Sequence, residues 1–120
     1  DRDEKGHYAL SASQLSHIPT AFICSRDSSA YQLLKILKEK NIRVPEDVSI
    51  TGFDDYILSS LCTPKITTYS IDVAKLTDSC IWLLLDRIAQ PDRPLRHIVI
   101  SGKIMERDSV RTLSTNPESR

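Results

Sequence analysis

A short apolar run that ends in an acidic dipeptide, near the middle of the chain, constrains the fold most. Pro45 fixes its own φ and disfavours helix in the residue before it, so a preceding helix must end here. The β-branched residues just before Gly52 predict a short buried strand. Gly52 allows a turn or a close backbone approach, and Asp54 and Asp55 then follow the strand. Because open α/β sheets bind ligands beyond the carboxyl ends of their strands, this stretch predicts a binding site.

A strand–helix–strand unit is predicted around this site. Residues 20–24 and 48–53 are the two strands, and the clearest helix of the chain lies between them. Asp27 or Ser28 is expected to cap that helix, and Asn41 to end it in a left-handed conformation. Its apolar residues follow the i, i+3, i+4, i+7 pattern: Ala30, Leu33, Leu34 and Leu37. The unit predicts two parallel strands with a right-handed crossover, hence an α/β fold with a parallel sheet and flanking helices.

The second half of the chain is predicted to contain one long helix between short extended pieces. Residues 73–88 form that helix, and Asp72 is expected to cap it. Its apolar residues extend round much of its circumference. Such a helix needs cover on more than one side. The remaining segments are assigned by composition: 7–15 helical, 64–69, 97–100 and 104–107 extended, and 114–120 a polar tail.

Composition argues against several classes of protein. Lys+Arg and Asp+Glu both number 16, which argues against a basic nucleic-acid surface and against a polybasic membrane anchor. The longest apolar run, residues 80–85, is too short to span a bilayer, and the charged opening does not resemble a signal peptide. Three scattered cysteines, at positions 24, 62 and 80, favour a reducing cytoplasm.

No enzyme, metal or cofactor is predicted. His7, His17 and His97 lie on separate predicted elements, and none has a cysteine or carboxylate at ligand spacing. Adjacent aspartates after a strand also occur in phosphoaspartate enzymes, but those proteins need further carboxylates or a lysine to hold Mg²⁺, and no such set stands out. The chain has three glycines and neither a nucleophile elbow nor a phosphate loop. We therefore expect no catalytic residue.

Several segments together resemble one family, the lactose- and galactose-repressor family of bacterial transcription regulators. Any one segment alone is a weak signal, whereas their ordered combination is specific. The resemblance covers roughly residues 19–110 and is carried by residues 19–27, 43–55, 63–68, 83–88 and 106–110.

The resemblance implies a periplasmic-binding-protein-like sensor domain with two lobes and an effector in the cleft between them. Residues 1–112 would be a partial sensor domain, of which 1–68 belong to the C-terminal lobe. Residues 69–105 would cross to the N-terminal lobe, and 113–120 would be the tail. The chain resembles about the last third of a regulator, so either it is a fragment or it is a truncated relative.

Three residues are candidate effector ligands on this resemblance. Asp54 aligns with the family's acceptor of sugar hydroxyls, with a helix cap as the alternative role. Arg26 stands where many relatives carry asparagine, so it would bind an acidic or phosphorylated effector or pair with Asp54. Ile23 occupies the position of an apolar platform, with a buried strand residue as the alternative. Asp55 is expected to be a capping residue rather than a ligand.

The implied function is effector sensing in a regulator whose DNA-binding head is absent from this chain. A homodimer is expected through a set of residues on the clearest helix and after the acidic pair: Tyr31, Leu34, Lys35, Leu58, Leu61 and Cys62. The alternative is that the leucines complete the core of one chain. The alternative function is a transport-type sugar-binding protein of the same fold, which a signal peptide rather than a helix-turn-helix upstream would indicate.

Overall fold

The computed structural model of the protein describes residues 17–113. Within them the chain forms a mixed α/β unit with one four-stranded sheet. The elements in chain order are β1 (Ala21–Ile23), α1 (Asp27–Glu39), β2 (Ser49–Phe53), α2 (Leu58–Leu61), β3 (Thr67–Ser70), α3 (Val73–Ala89) and β4 (Lys103–Met105). The helix expected at residues 7–15 and the tail at 114–120 lie outside the described residues.

The sheet confirms the predicted strand–helix–strand unit. Its strand order is β1-β2-β3-β4, in which β1, β2 and β3 are parallel. Phe22 lies opposite Ile50, and Thr51 lies opposite Thr67. β4 returns antiparallel to β3, with Ile104 opposite Tyr69. The carboxyl ends of β1 and β2 therefore meet at one edge of the sheet.

The strand predicted at residues 97–100 is wrong. This stretch forms no ladder, and the pairing with β3 begins only at Lys103. Val99 is largely exposed, so the apolar residues that suggested a strand have no neighbouring strand to pack against within residues 17–113. An apolar run becomes a strand only where a partner edge is available.

The core lies between α1 and one face of the sheet. All four apolar positions of the predicted helical stripe are buried in α1, and Asn41 ends the helix with φ 58°, as predicted. Leu34 and Cys62 belong to the same cluster, which consists of Ala30, Leu33, Leu34, Leu37, Val48, Ile50, Cys62 and Ile66.

The predicted side-chain cap of α1 is wrong. Arg26 is the N-cap residue, and no side chain caps the helix there. Asp27 is instead the first helical residue, and its carboxylate is directed to the loop after β2. By contrast, Asp72 caps α3 as predicted, because its side chain accepts a hydrogen bond from the Lys75 N–H at 3.0 Å.

The segment after β4 returns to the core and joins β2 to β3, which the sequence did not reveal. Ser109 is fully buried. Its Oγ donates to the Ile50 carbonyl at 2.6 Å and accepts from the Thr67 N–H at 2.8 Å. Its own carbonyl accepts from the Ile50 N–H at 2.9 Å. Ser109 therefore forms hydrogen bonds with main-chain groups of both β2 and β3.

None of the residues of the long helix α3 is buried, and most of them are exposed. Its exposed apolar residues include Leu76, Ile81, Trp82, Leu84, Leu85 and Ile88. Residues 17–113 thus do not supply the cover that the sequence pattern calls for. Among these residues, we find no helix with the length and apolar character needed to cross a membrane.

Candidate functional site

Asp54 lies at the carboxyl edge of the parallel strands, directly after β2. Its main-chain N–H donates to the Tyr69 carbonyl at 3.0 Å, and its side chain is exposed. Asp54 and Asp55 both have positive φ, 93° and 52°. Such values are uncommon for residues other than glycine and persist where the surroundings hold them. The acidic loop (residues 54–56) is therefore held in a defined shape at this edge.

The surroundings of Asp54 raise the pKa of its carboxyl group above the ordinary value. Partial removal from water is the largest cause, and the negative charge of Asp27 is the second. The main-chain N–H groups of Tyr56 and Asp27 and the charge of Arg26 act in the opposite direction. Tyr56 N–H lies 3.3 Å from Asp54 Oδ1. Once deprotonated, this carboxylate suits acceptance of hydrogen bonds from neighbouring ligand hydroxyls.

Arg26 lies at the same edge as Asp54 and is close enough for its charge to act on the Asp54 carboxyl group. It is the N-cap residue of α1 and has an extended backbone conformation. Its side chain is exposed, and within residues 17–113 it forms no salt bridge with Asp54 or with any other carboxylate. Of the two roles expected for Arg26, pairing with Asp54 is therefore not seen.

Ile23 is 90% exposed, so its expected alternative role as a buried strand residue is not seen. Strand alternation explains the exposure: Phe22 and Cys24 pack toward the α1 side, and Ile23 points to the other face of the sheet. Phe53 and Tyr69 lie on that face too, with ring centroids 5.4 Å apart and planes 16° apart. The second face of the sheet thus presents apolar surface near the site.

Asp55 does not cap a helix, so that prediction is wrong. Its Oδ1 lies 2.5 Å from Arg107 Nη2, and this guanidinium lowers the pKa of the Asp55 carboxyl. Arg107 Nη1 also donates to Ser59 Oγ and to the Ile66 carbonyl, each at 2.9 Å. Asp55 forms an ion pair instead of capping a helix because the chain returns after β4 and brings the Arg107 guanidinium to the acidic loop. Asp55 is consequently a structural anchor, and Asp54 keeps the exposed position.

Asp27 is the residue at this edge whose importance sequence reasoning missed. It is fully buried, and its Oδ2 accepts from the Tyr56 N–H at 2.7 Å. A Cβ placed on Gly52 would come within 2.0 Å of Asp27 Oδ1. The glycine before Asp54 and the aspartate opening α1 are therefore complementary in shape. Their pairing at two strand ends is the signal that could have indicated the contact.

Two surface grooves of the described residues lie away from this edge. One, of about 520 Å³, is lined partly by Leu34, Lys38 and Pro64. Another, of about 470 Å³, lies between the entry to α3 and the start of β4, beside Asp72 and Lys103. Neither includes Asp54 or Arg26. Among residues 17–113, no group of three or more His, Cys, Asp or Glu side chains is arranged to hold a metal ion.

The residues expected at a dimer contact divide into two sets. Leu34 and Cys62 are buried within the chain. Leu61 is 70% exposed, Leu58 and Tyr31 are half-buried, and the Lys35 ammonium lies 4.5 Å from the centre of the Tyr31 ring. Only the second set presents surface to a partner.

The sequence and the fold match known proteins over most of the chain. Residues 1–110 match the family described as "Periplasmic binding protein-like domain". The probable HTH-type transcriptional repressor ExuR from Bacillus subtilis (strain 168) is 37% identical over 101 residues, which are 84% of this chain and 30% of that protein. The chain thus spans less than a third of the length of this curated relative.

Solved structures of transcriptional regulators have a similar fold. A LacI family transcriptional regulator from Enterococcus faecium with bound ribose superimposes with a TM-score of 0.75 at 29% identity, over 86% of this chain and 38% of that one. The CelR–cellobiose complex, a transcriptional regulator, gives 0.72 at 27% identity, over 75% and 28%. The chain belongs to the periplasmic binding protein-like domain family, in the form found in LacI-family transcriptional regulators.

Proposed function

We propose that this chain is the effector-sensing part of a bacterial transcriptional regulator that binds a sugar or sugar derivative and couples it to operator binding. The observation that carries the proposal is the exposed Asp54 carboxylate, held at the carboxyl edge of the sheet beside Arg26. Relatives that share the fold contain ribose or cellobiose. The role is one of binding rather than catalysis, in the cytoplasm, and DNA contact requires a head domain outside this chain.

The proposed site lies in a cleft between two lobes. Residues 1–68 belong to the C-terminal lobe, and residues 69–105 cross to the N-terminal lobe. The exposed apolar surface of α3 supports this division, because Ile81, Trp82 and Leu85 have no cover within residues 17–113. The open edge at Asp54 supports it as well, since a small ligand is usually bound in a concave site with walls on several sides.

The first experiment tests sugar binding by the complete regulator. Calorimetry with D-ribose, D-glucose, D-glucuronate and glucose 6-phosphate is compared for the parent and Asp54→Ala. We expect the variant to lose about 2–5 kcal/mol of affinity for whichever probe binds, because a charged hydrogen-bond acceptor is removed. Asp47→Ala, in the turn before β2 at the opposite edge of the sheet, is the control and should bind normally. Unchanged affinity of Asp54→Ala would exclude Asp54 from the site.

The effector is proposed to be acidic or phosphorylated. Arg26 places a permanent, planar positive charge beside Asp54 without a carboxylate partner among the described residues. Glucuronate and glucose 6-phosphate should therefore bind more tightly than glucose. Arg26→Asn should reduce that preference by about 1.5–3 kcal/mol, the range for a charged hydrogen bond. If glucose binds at least as tightly as both anions, the anionic effector is wrong while sugar sensing stands.

The regulator is proposed to act as a homodimer through the exposed set Tyr31, Lys35, Leu58 and Leu61. A two-fold contact presents the same patch on both copies, and closure of the lobes on an effector would reorient the DNA-binding heads. Leu61→Asp should shift sedimentation of the complete regulator toward monomer. Leu113→Asp is a matched control, because Leu113 is also 70% exposed. A Leu61→Asp variant as dimeric as the parent would place the interface elsewhere.

A further inference from the structure

The buried carboxylate of Asp27 has less hydrogen bonding than a buried charge ordinarily requires. It is 0% exposed, and its Oδ2 receives one hydrogen bond, from the Tyr56 N–H. Its Oδ1 has no hydrogen-bond partner among residues 17–113. Burial of a charged group with so few partners is unfavourable for folding. A role confined to fold stability would be met better by a neutral side chain.

The contacts of Asp27 bracket Asp54 along the chain. On one side Oδ1 lies over Gly52, so closely that an added Cβ would approach it to 2.0 Å and the Asp27 Cα to 3.3 Å. On the other side Oδ2 holds the Tyr56 N–H at 2.7 Å. One carboxylate therefore contacts the residue two before Asp54 and the residue two after it.

The loop between those contacts needs such support. Asp54 and Asp55 have the left-handed φ values given above, and a non-glycine residue keeps that conformation only where its neighbours impose it. Arg107 anchors Asp55 from the other side. Thr68 Oγ1 accepts a longer bond, at 3.4 Å, from the Asp55 N–H. Without the bond from Asp27 to Tyr56, no side chain from outside the acidic loop would hold the Tyr56 N–H, on the C-terminal side of Asp54.

We propose that Asp27 is the positioning residue of the effector site: its buried carboxylate, lodged over Gly52 and bonded to the Tyr56 N–H, sets the direction of the Asp54 carboxylate toward the ligand. The inference rests on the proposed function. Asp27 also acts on Asp54 through its charge. Both carboxylates accept a hydrogen bond from the Tyr56 N–H, and their negative charges repel each other. The negative charge of Asp27 then tunes the pH at which Asp54 becomes an acceptor.

The test compares Asp27→Asn with the parent in the complete regulator, across pH, with D-glucuronate and D-ribose as probes. We expect about a tenfold loss of affinity, because the anchor of the loop is weakened. We also expect the acidic midpoint of binding to move to lower pH. The sign follows from the charge: Asp27 raises the pKa of Asp54, so its removal lowers that pKa and keeps Asp54 deprotonated in more acidic solution. A purely structural role would not move this midpoint.

Asp47→Asn is the matched control, since it removes one carboxylate at the opposite edge of the sheet, and its midpoint should equal that of the parent. If Asp27→Asn is folded and binds with the affinity and midpoint of the parent, the positioning role is wrong. If the parent binds neither probe nor any other sugar, the proposed function fails instead.

A measurement on the unaltered protein tests the same contact without any variant. The Tyr56 amide should exchange its hydrogen slowly, because Asp27 and Asp54 both accept from it. The neighbouring Ile57, exposed in the next turn, provides the internal reference. Exchange of the Tyr56 amide as fast as that of Ile57 would overturn the inference, whether or not a variant folds.

Discussion

The two long helices within residues 17–113, α1 and α3, both carry many apolar residues but have opposite environments. α1 buries its stripe against the sheet, and Ala30 and Leu37 are completely inaccessible. α3 is longer and more apolar, yet none of its residues is buried. The helix α1 meets its partners within one local strand–helix–strand unit, whereas α3 carries an apolar surface that residues 17–113 do not cover. Amphipathic pattern alone does not decide burial; the availability of a neighbouring element does.

The largest effect is expected when a leucine of α1 is truncated, and the same change in α3 should have little effect. Leu37→Ala should lower the free energy of unfolding of the 120-residue chain by about 2–5 kcal/mol, because it leaves a cavity in the core. Leu84→Ala, at an exposed position of α3, should change it by about 0.5 kcal/mol or less. Denaturant unfolding of the parent and of both variants measures these changes in the free energy of unfolding.

The same two variants in the complete regulator test whether a second lobe covers α3. If the second lobe covers α3, Leu84→Ala should there become destabilising, while Leu37→Ala keeps its effect. Equal, negligible effects of Leu84→Ala in both proteins would show that α3 stays exposed and that the two-lobe assignment is wrong.

A smaller but still substantial effect is expected at Gly52. An added methyl group would collide with Asp27 Oδ1, so α1 and β2 must move apart. Gly52→Ala should lower the free energy of unfolding by about 1–3 kcal/mol, as overpacking does. Thermal unfolding measures it, and Ser49→Ala, at a half-buried position of the same strand, is the control. A Gly52→Ala protein as stable as the parent would contradict the tight contact.

The ion pair between Asp55 and Arg107 joins the loop after β2 to the segment after β4, and its contribution to stability should depend on pH. Arg107 lowers the folded-state pKa of Asp55, so the pair stabilises the fold above the ordinary carboxyl pKa of about 3.9. That stability is lost as pH falls through the lowered folded value. Asp55→Asn should cost about 1–3 kcal/mol at neutral pH and much less in acid. A cost that does not change between neutral and strongly acidic pH would argue against the ion pair.

The smallest effect is expected at the exposed pair of Arg43 and Asp47. The Arg43 side chain lowers the pKa of Asp47 to about 2 by hydrogen bonding. An NMR titration should find the Asp47 midpoint below that of an ordinary aspartate, and Arg43→Gln should raise it. The stability of the protein should change less than in the other three cases, because water competes for both side chains. If Arg43→Gln lowered the free energy of unfolding more than Asp55→Asn does, the expected order of the two ion pairs would be wrong.

Local sequence signals determined the strand–helix–strand unit. The stripe of α1, the turn at Pro45, the left-handed Asn41 and the Asp72 cap all depend on residues close in the chain, and each is present in the structure. For the same reason Asp54 could be placed at the carboxyl edge of the sheet. Parallel strands of one such unit necessarily end on the same side.

The contacts of the site residues depend on tertiary structure and could not be predicted from the local sequence. Asp27 looked like a helix cap and Asp55 like another, but one holds the Tyr56 N–H and the other pairs with Arg107, 52 positions away. The strand expected at residues 97–100 failed because no partner edge lies beside it, and Ser109 joined β2 to β3 with no local pattern to announce it. Hydrogen-bond choice among polar groups is set by which of them folding brings together, and that depends on contacts far apart in sequence.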